Sequence, residues 1–487
     1  MARINTNVPS LIARNNLGRS NGDLAVRLQR LSTGLRINRG ADDPAGLIVS
    51  ERLRSEMKGL DQAIDNSERA SSVIATAEGY LAEVADLLNS VKGLVVEAAN
   101  TGGVSQEEIE ANQLQIDSAI ESITRISNTA SFAGLQLLNG NLDYTTSGVN
   151  AANITGVQVD GAQLGTDGDL SVDVEVVQSA QTGTLFIDGS TGTVGVLDDA
   201  VTVEVAGTLG VQSVSFASGT ALSTVATAIN TLTGNTGVSA SFVTSGIQMN
   251  STDYGSESFV SVKQIGTTST DFSVLDAAGG TETQRDEGQN VSAVVNGVLA
   301  VGDGLDLSLK SPSLTLDLDL SEGFATTVDG TVSSFNITGG GANFQLGPSI
   351  SNAQAVGVGI QSVAATRIGG TDVEGIRFFL DSVTSGKDNS LLSGNASEAS
   401  DILDNAITEI SVMRGRLGAF ERNTLQTNVR SLQIGLENIT ASESKIRDAD
   451  FAAETANLTR AQILNQAGTS VLATANASAQ SVLALLQ

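Results

Sequence analysis

The sequence predicts an α+β multidomain chain, with a long α-helical coiled-coil core drawn from both termini around a β-rich, Gly/Ser/Thr-rich central insertion. Three observations predict it. Apolar residues recur at helical spacing in the first 130 residues and again from about residue 403. Between 141 and 395 that period gives way to short alternating runs. Charge is also segregated: residues 1–60 hold ten bases and five acids, whereas Lys263, Arg285 and Lys310 are the only bases from 141 to 366.

The first helix is marked by Leu17, Leu24, Leu28, Leu31 and Leu35, which fall on one face. Asp42-Asp43-Pro44 interrupts and restarts the chain. Asp43 can accept from the first free amides, and Pro44 suits the first helical position. The next helix is predicted to run to about Asn100. Leu53, Leu60, Ser67, Ile74, Leu81, Leu88 and Val95 recur every seventh residue, with Met57, Ile64, Ala77, Val84 and Val91 on the alternate seam. Gly102-Gly103 ends it. Ser105 followed by Glu108 reads as a capping box for a third helix, whose apolar side is Ile109, Ile116, Ile120, Ile123 and Ile126.

In the middle, Val172–Val176, Val201–Val205 and Leu314–Leu320 alternate as strands do. Leu222, Val225, Ala226, Ile229 and Leu232 predict one helix among them. Helical period returns with Leu403, Ile407 and Ile410, and continues through Leu425, Val429, Leu432, Leu436, Ile439 and Ile446. A last helix from about Ala452 to the end carries only Glu454 and Arg460 as charges.

The composition excludes whole classes of chemistry. Of 487 residues, 40% are apolar, and Cys, His and Trp are absent. Zinc, haem and copper sites lose their usual ligands, and Ser–His–Asp or Cys–His catalysis is impossible. No cofactor is expected. A net charge of −28 argues against nucleic acid or an anionic membrane as partner. Met1–Ser10 has no apolar core of a cleaved Sec signal peptide, and no run of 18 apolar residues would insert in a membrane. Export would need another route.

A helix of this length with two charges needs cover on every side, and its Asn, Gln, Ser and Thr suit neither lipid nor water. A close-packed bundle fits. The two ends are expected to pair as a coiled coil and to leave apolar surface for further copies. The side chains expected to make that packing are Leu17, Leu24, Leu28, Leu31 and Leu35 at one end. At the other they are Leu458, Ile463, Leu464, Val471, Leu472, Val482, Leu483, Leu485 and Leu486. A self-contained helical bundle remains the plainer alternative.

Several segments carry a family resemblance. Leu28-Gln-Arg-Leu-Ser-Thr-Gly-Leu-Arg-Ile-Asn38, Asp42-Asp-Pro-Ala-Gly-Leu47, Thr76-Ala-Glu-Gly79 and Arg125-Ile-Ser-Asn-Thr-Ala-Ser-Phe132 closely resemble bacterial flagellin. So do Leu417–Asn423, Ile446–Phe451 and Ala461–Leu472. Val203–Phe216 and Ser251–Lys263 are similar to a repeat found in the variable region of some flagellins and hook-associated proteins, and Phe344–Gly347 to a return β-segment of the family.

The resemblance implies a filament subunit exported unfolded through the flagellar type III channel, with chain ends that order on assembly. It implies an inner tube from 1–44 with 450–487, a shell from 45–175 with 343–449, and an outer domain from 176–342. Implied partners are further copies of itself, an export chaperone, and the hook-associated junction and cap proteins. The implied location is the extracellular filament. A hook–filament junction protein is the alternative within the same family.

Other constellations are weaker. Asp317 and Asp319 share a strand face and could touch Ca²⁺, but a solvated face explains them better. Thr338-Gly-Gly-Gly-Ala342 lacks a phosphate-loop Lys and reads as a flexible connection. Asn153, Asn336, Asn395 and Asn438 begin N-x-S/T triplets, which are common by chance. By the resemblance, Asn89–Val96 aligns with a segment that innate receptors recognise in some flagellins. Lys92 and Leu94 fit that pattern; Ser90 and Gly93 do not, and subunit packing is the plainer use of the face. A zinc-protease insert would need His. An adhesive role for the β-rich middle stays open.

Overall fold

The structure is a computed structural model that describes residues 6–100, 102–164, 168–188, 195–243, 246–266, 272–311, 313–373 and 376–484, without the side chains of 372 and 479–484. Its long helices are α1 (Val8–Thr33), α2 (Pro44–Ala98), α3 (Gln106–Thr129), α4 (Leu222–Asn230), α5 (Ala396–Phe420), α6 (Gln426–Arg447) and α7 (Phe451–Ala484). The chain divides into two compact units: 1–72 with 345–350 and 419–487, and 73–344 with 351–418.

In the first unit α1 begins where the Asn7 side chain accepts from the Ser10 amide, with Pro9 in the first turn. Gly34 ends it in the left-handed region at φ 73°, its amide returning to the Arg30 carbonyl at 2.8 Å. The following segment crosses the end of α6: Arg36 donates its amide to Arg447 O at 2.6 Å, and Ala449 donates to Gly34 O at 2.9 Å. The Asp42 carboxylate accepts from Asn38 and Arg39 amides, while Asp43 accepts from Gly46 at 2.9 Å and Pro44 opens α2, as its sequence predicts.

α2 and α6 run antiparallel here. Ser50 donates to Glu443 at 2.8 Å, and Asn428 donates to Ser67 Oγ at 3.1 Å and Leu346 O at 2.8 Å. Ser71 donates to Glu421 at 2.6 Å. The buried Ser67, polar at a seam position, is thus accounted for by Asn428.

The second unit contains the rest of α2, whose Ile74, Leu81, Leu88 and Val95 are buried at the predicted seven-residue interval. α3 carries the complete Ser105–Glu108 capping box. Buried Gln113 is fully used, donating to Asp117 and Val383 O and accepting from the Leu391 amide. Arg416 of α5 pairs with Asp160 and donates to Gly359 O at 2.9 Å. Burial lowers its guanidinium to about 10, and neighbouring Asp143 opposes the change.

The strands are β1 (Tyr144–Ser147), β2 (Ile154–Ala162), β3 (Leu170–Gln178), β4 (Thr184–Asp188), β5 (Val201–Gly207), β6 (Gly210–Phe216), β7 (Val238–Val243) and β8 (Gly246–Ser251). They continue as β9 (Phe259–Ile265), β10 (Ser273–Leu275), β11 (Arg285–Glu287), β12 (Ser292–Val295), β13 (Val298–Asp303), β14 (Asp306–Lys310), β15 (Leu314–Leu320) and β16 (Val332–Gly340). Shorter two-stranded pairings accompany them.

One eight-stranded antiparallel sheet has the order β1-β16-β3-β12-β13-β14-β15-β2. Its alternate residues, among them Val172, Val174, Leu314, Leu316, Leu318 and Phe335, meet in a single core. Asp317 and Asp319 lie on the opposite face, as their spacing predicts, opposite Ser308 and Asp306. Burial, and then the charges of Asp319, Asp303 and Asp317, raise the Asp306 carboxyl above its ordinary value. The boundary expected at 175/176 falls inside β3, which pairs with β12 and β16.

The expectation of a flexible connection at Thr338–Ala342 is corrected. Thr338 to Gly340 continue β16, with a register shift between Ile337 and Gly339. The glycines are there for closeness: a Cβ on Gly340 would lie 2.1 Å from Asp143 O, and one on Gly341 would lie 2.5 Å from the Tyr144 ring.

Inserted in the eight-stranded sheet is a separate sandwich. Its sheets, β10-β4-β8-β7 and β11-β9-β5-β6, close with α4 on their own core of Leu185, Val203, Leu222, Ile229, Met249 and Val262. Its ends meet: Gln181 and Gln289 exchange both backbone hydrogen bonds at 2.9 Å. Excising 182–288 and joining Gln181 to Gln289 through a short Gly-Ser linker should therefore leave the eight-stranded sheet folded, whereas excising 180–340 should unfold it, since that cut removes five of its strands. Circular dichroism and thermal unfolding of both truncations are the check. Equal loss of cooperative unfolding in the two would contradict separate cores.

Candidate polymerisation surface

α1 and α7 pair antiparallel, and small residues set their distance. Ala13 and Ala461 are buried between them, and Leu17 approaches Gly468 so closely that a Cβ there would lie 3.1 Å from its Cδ1. Polar side chains tie the pair along its length. Asn7 donates to Ala475 O at 3.0 Å, Ser10 to Asn476 at 2.8 Å and Asn465 to Asn21.

The strongest tie is ionic. Arg27 donates to both Glu454 oxygens at 3.0 and 3.2 Å, and Arg30 lies 3.9 Å from the same carboxylate. Glu454 is buried and sits in the first turn of α7, where the helix dipole favours an anion. Asp450 caps that turn by accepting from the Ala452 and Ala453 amides.

Of the residues that the sequence proposed for packing, Leu17, Leu24, Leu31, Leu35, Leu458 and Leu472 are half-buried. Leu28, Ile463, Leu464 and Val471 are exposed, at 51, 63, 56 and 58%. Val482 and Leu483 lie on α7 with side chains outside the described residues, and Leu485 and Leu486 lie wholly outside them. The pair therefore leaves a broad apolar surface on both helices. Sequence reasoning missed other members of it: Val8, Leu11, Ile12 and Val26 on α1, and Phe451 on α7. It also missed the Arg27–Glu454–Arg30 cluster. The signal was present, because the lone acid of a helix with one other charge, Arg460, calls for a basic partner.

Among the described residues no group of three His, Cys, Asp or Glu could hold a metal ion. A cavity of about 240 Å³ beside Tyr144 and one of about 300 Å³ beside Leu391 bring together backbone, small and amide side chains, with Tyr144 the one ionisable group lining either. In the segment 89–96, Ser90 and Gly93 are exposed, and Lys92 pairs with Asp404. No helix among the described residues is long and apolar enough to cross a membrane.

Comparison with known proteins agrees with the geometry. The family model of the bacterial flagellin N-terminal helical region matches residues 4–143, that of the C-terminal helical region matches 400–486, and the flagellin hook IN motif matches 202–253. The chain is 29% identical over 514 residues to the flagellin of Salmonella rubislaw and 30% identical over 533 residues to the B-type flagellin of Pseudomonas aeruginosa. In each case 99% of both chains is covered. The flagellin of Escherichia coli K12 is 28% identical over 530 residues, with the same coverage.

Two outcomes follow from the Glu454 and Asp42 carboxylates. Glu454→Ala leaves two guanidinium groups facing an apolar seam and should weaken the α1–α7 pair by about 1–3 kcal/mol, read by amide hydrogen exchange in α1. Two backbone amides, from Arg39 and then Asn38, hold the Asp42 carboxyl below its ordinary value. A depressed acid stabilises the fold above its unfolded pKa, and the gain vanishes as pH falls through the folded value. The 38–43 turn should accordingly lose exchange protection below about pH 4. In Asp42→Ala that loss should already be present at neutral pH.

Proposed function

The chain belongs to the bacterial flagellin family and is a structural subunit of the flagellar filament, and we propose that it polymerises through the apolar faces that α1 and α7 leave uncovered. Coverage of 99% of both chains by flagellins favours the filament over the hook–filament junction. The observation that carries the packing proposal is the exposure of Leu28, Ile463, Leu464 and Val471 on helices already paired with each other. A contact between unlike faces of successive copies does not close on itself and propagates as a helix. Leu17, Leu24, Leu31, Leu35, Leu458 and Leu472 would hold the pair itself, and Val482, Leu483, Leu485 and Leu486 would extend the same face.

In this reading 1–44 with 450–487 forms the inner tube, 45–175 with 343–449 the shell, and 176–342 the outer surface, with the eight-stranded sheet drawing on both of the latter. The subunit leaves the cell unfolded through the flagellar export channel, and its ends order fully on assembly. Its other partners are an export chaperone and the junction and cap proteins. No catalytic role, nucleic-acid partner or membrane insertion belongs to this function.

Ile463→Asp and Val471→Asp test the surface. Each is exposed in a single chain, so monomer stability should change by no more than about 0.5 kcal/mol. In the polymer a buried charge without a partner should raise the critical concentration about tenfold or more. Leu472→Ala, half-buried already, should cost the polymer about 2–5 kcal/mol. Sedimentation of polymer against monomer melting separates the cases: an equal effect on both would place these residues in an internal core. Proteases should also trim both ends of the monomer and spare them in the filament.

A further inference from the structure

Edge strands invite further strands, and folded proteins usually block them. In the three large sheets of this chain most edges are blocked in recognisable ways. β11 is three charged residues, and β10 is also only three residues long. β1 has four. Along β7, Asn230 satisfies both backbone groups of Ala240, at 2.8 and 2.7 Å, and Thr233 donates to Val238 O at 2.9 Å. β2 receives the Gly359 amide at Asp160 O, 2.8 Å.

β6 differs. Its seven residues, Gly210-Val-Gln-Ser-Val-Ser-Phe216, pair with β5 on one side and, among the described residues, with no strand on the other. They contain no charge and no Pro. Val262 gives its amide to Gln284 O beside β11, so Ser261, Lys263 and Ile265 of β9 face β5. The alternation then turns Val201, Val203, Val205 and Gly207 toward β6 and leaves the backbone groups of Val211, Ser213 and Ser215 pointing outward. All three of these residues are exposed.

We propose that β6 is a docking edge for β6 of a second copy of this chain, paired antiparallel about a twofold axis at Ser213. Val211 then lies opposite Ser215 of the other copy, and Ser213 opposite itself. Charge selects the occupant. At a net −28, two copies repel wherever their acids meet, and 205–252 is the longest stretch of the chain without a charged residue. Both β6 and β7, with α4 between them in sequence, lie in that stretch. A single strand pairing buries too little to hold two copies in dilute solution, so it requires copies already concentrated. A filament supplies that, and the inference rests on the filament reading in this respect. The contact joins filaments lying side by side and antiparallel, because successive copies of one helix meet through unlike faces and share no twofold axis; it does not build the polymer.

The chain has no Cys, so a single introduced thiol can join only to the same position on another copy. Ser213→Cys filaments treated with a short bis-thiol cross-linker should give covalent dimer several-fold faster than Ser334→Cys filaments. Ser334 is also exposed but lies in another sheet, on β16 opposite Asp173 of β3, outside the uncharged 205–252 stretch. Adding Val211→Lys to Ser213→Cys should return the rate to the Ser334→Cys level without changing filament yield or monomer melting. Equal rates for the two thiols in well-formed filaments would overturn the proposal and leave the polymer reading intact. Absence of filaments by electron microscopy would instead sink the polymer reading itself.

Discussion

Two helices laid side by side can bury only the seam between them. α1 and α7 carry apolar residues well beyond that width, and the rest of the architecture follows from the surplus. Ala13, Ala461 and Gly468 draw the axes close, which makes the seam narrow and pushes Ile463, Leu464 and Val471 outside it. A self-contained bundle would have used its large residues in the seam and small or charged ones outside. Here large residues stand on both sides of that line, with Leu17, Leu24 and Leu458 half-buried and Ile463, Leu464 and Val471 exposed. The α1–α7 pair thus leaves apolar surface uncovered, and in the proposed polymer that cover comes from other copies.

Charge is arranged to the same end. α7 has two charged residues, and one of them, Glu454, is consumed in fixing its register against Arg27 and Arg30. The pair is anchored near one end by an ionic contact with directional geometry, and along the rest by amides and hydroxyls that tolerate dry surroundings. The repulsive acids are placed in the β-rich middle, where solvent screens them. Concentrating like charge in the middle leaves α7 with only Glu454 and Arg460 as charges.

Helices were legible because their period is local. The seven-residue seam of α2, the capping box of α3 and the Asp43–Pro44 restart each depend on residues a turn or two apart, and each stands where the sequence puts it. The apolar candidates on α1 and α7 were legible as a set, but their division into seam and surface was not. That division depends on which face the partner helix takes, and Gly468 against Leu17 decides it across 451 positions of chain. The glycine run at 338–342 misled for a related reason. Glycine signals freedom when read alone, and it signals crowding when Tyr144, almost two hundred residues earlier, occupies the space a side chain would need. The nesting of one β module in another was equally hidden, because alternation identifies a strand without naming its neighbour.

That nesting explains how a chain can change its middle without disturbing its ends. The sandwich enters and leaves its host sheet at Gln181 and Gln289, adjacent through paired backbone hydrogen bonds, so the loop it closes is already closed without it. Its core shares no buried residue with the core of the eight-stranded sheet. Contacts such as the Tyr254 hydroxyl on Glu322, at 2.6 Å, and Ser256 on Asn290, at 2.8 Å, hold the module at its base. Partial burial, and then the Glu322 carboxylate, push the Tyr254 hydroxyl up to about 12. Substitutions in the sandwich core therefore act on a core of its own.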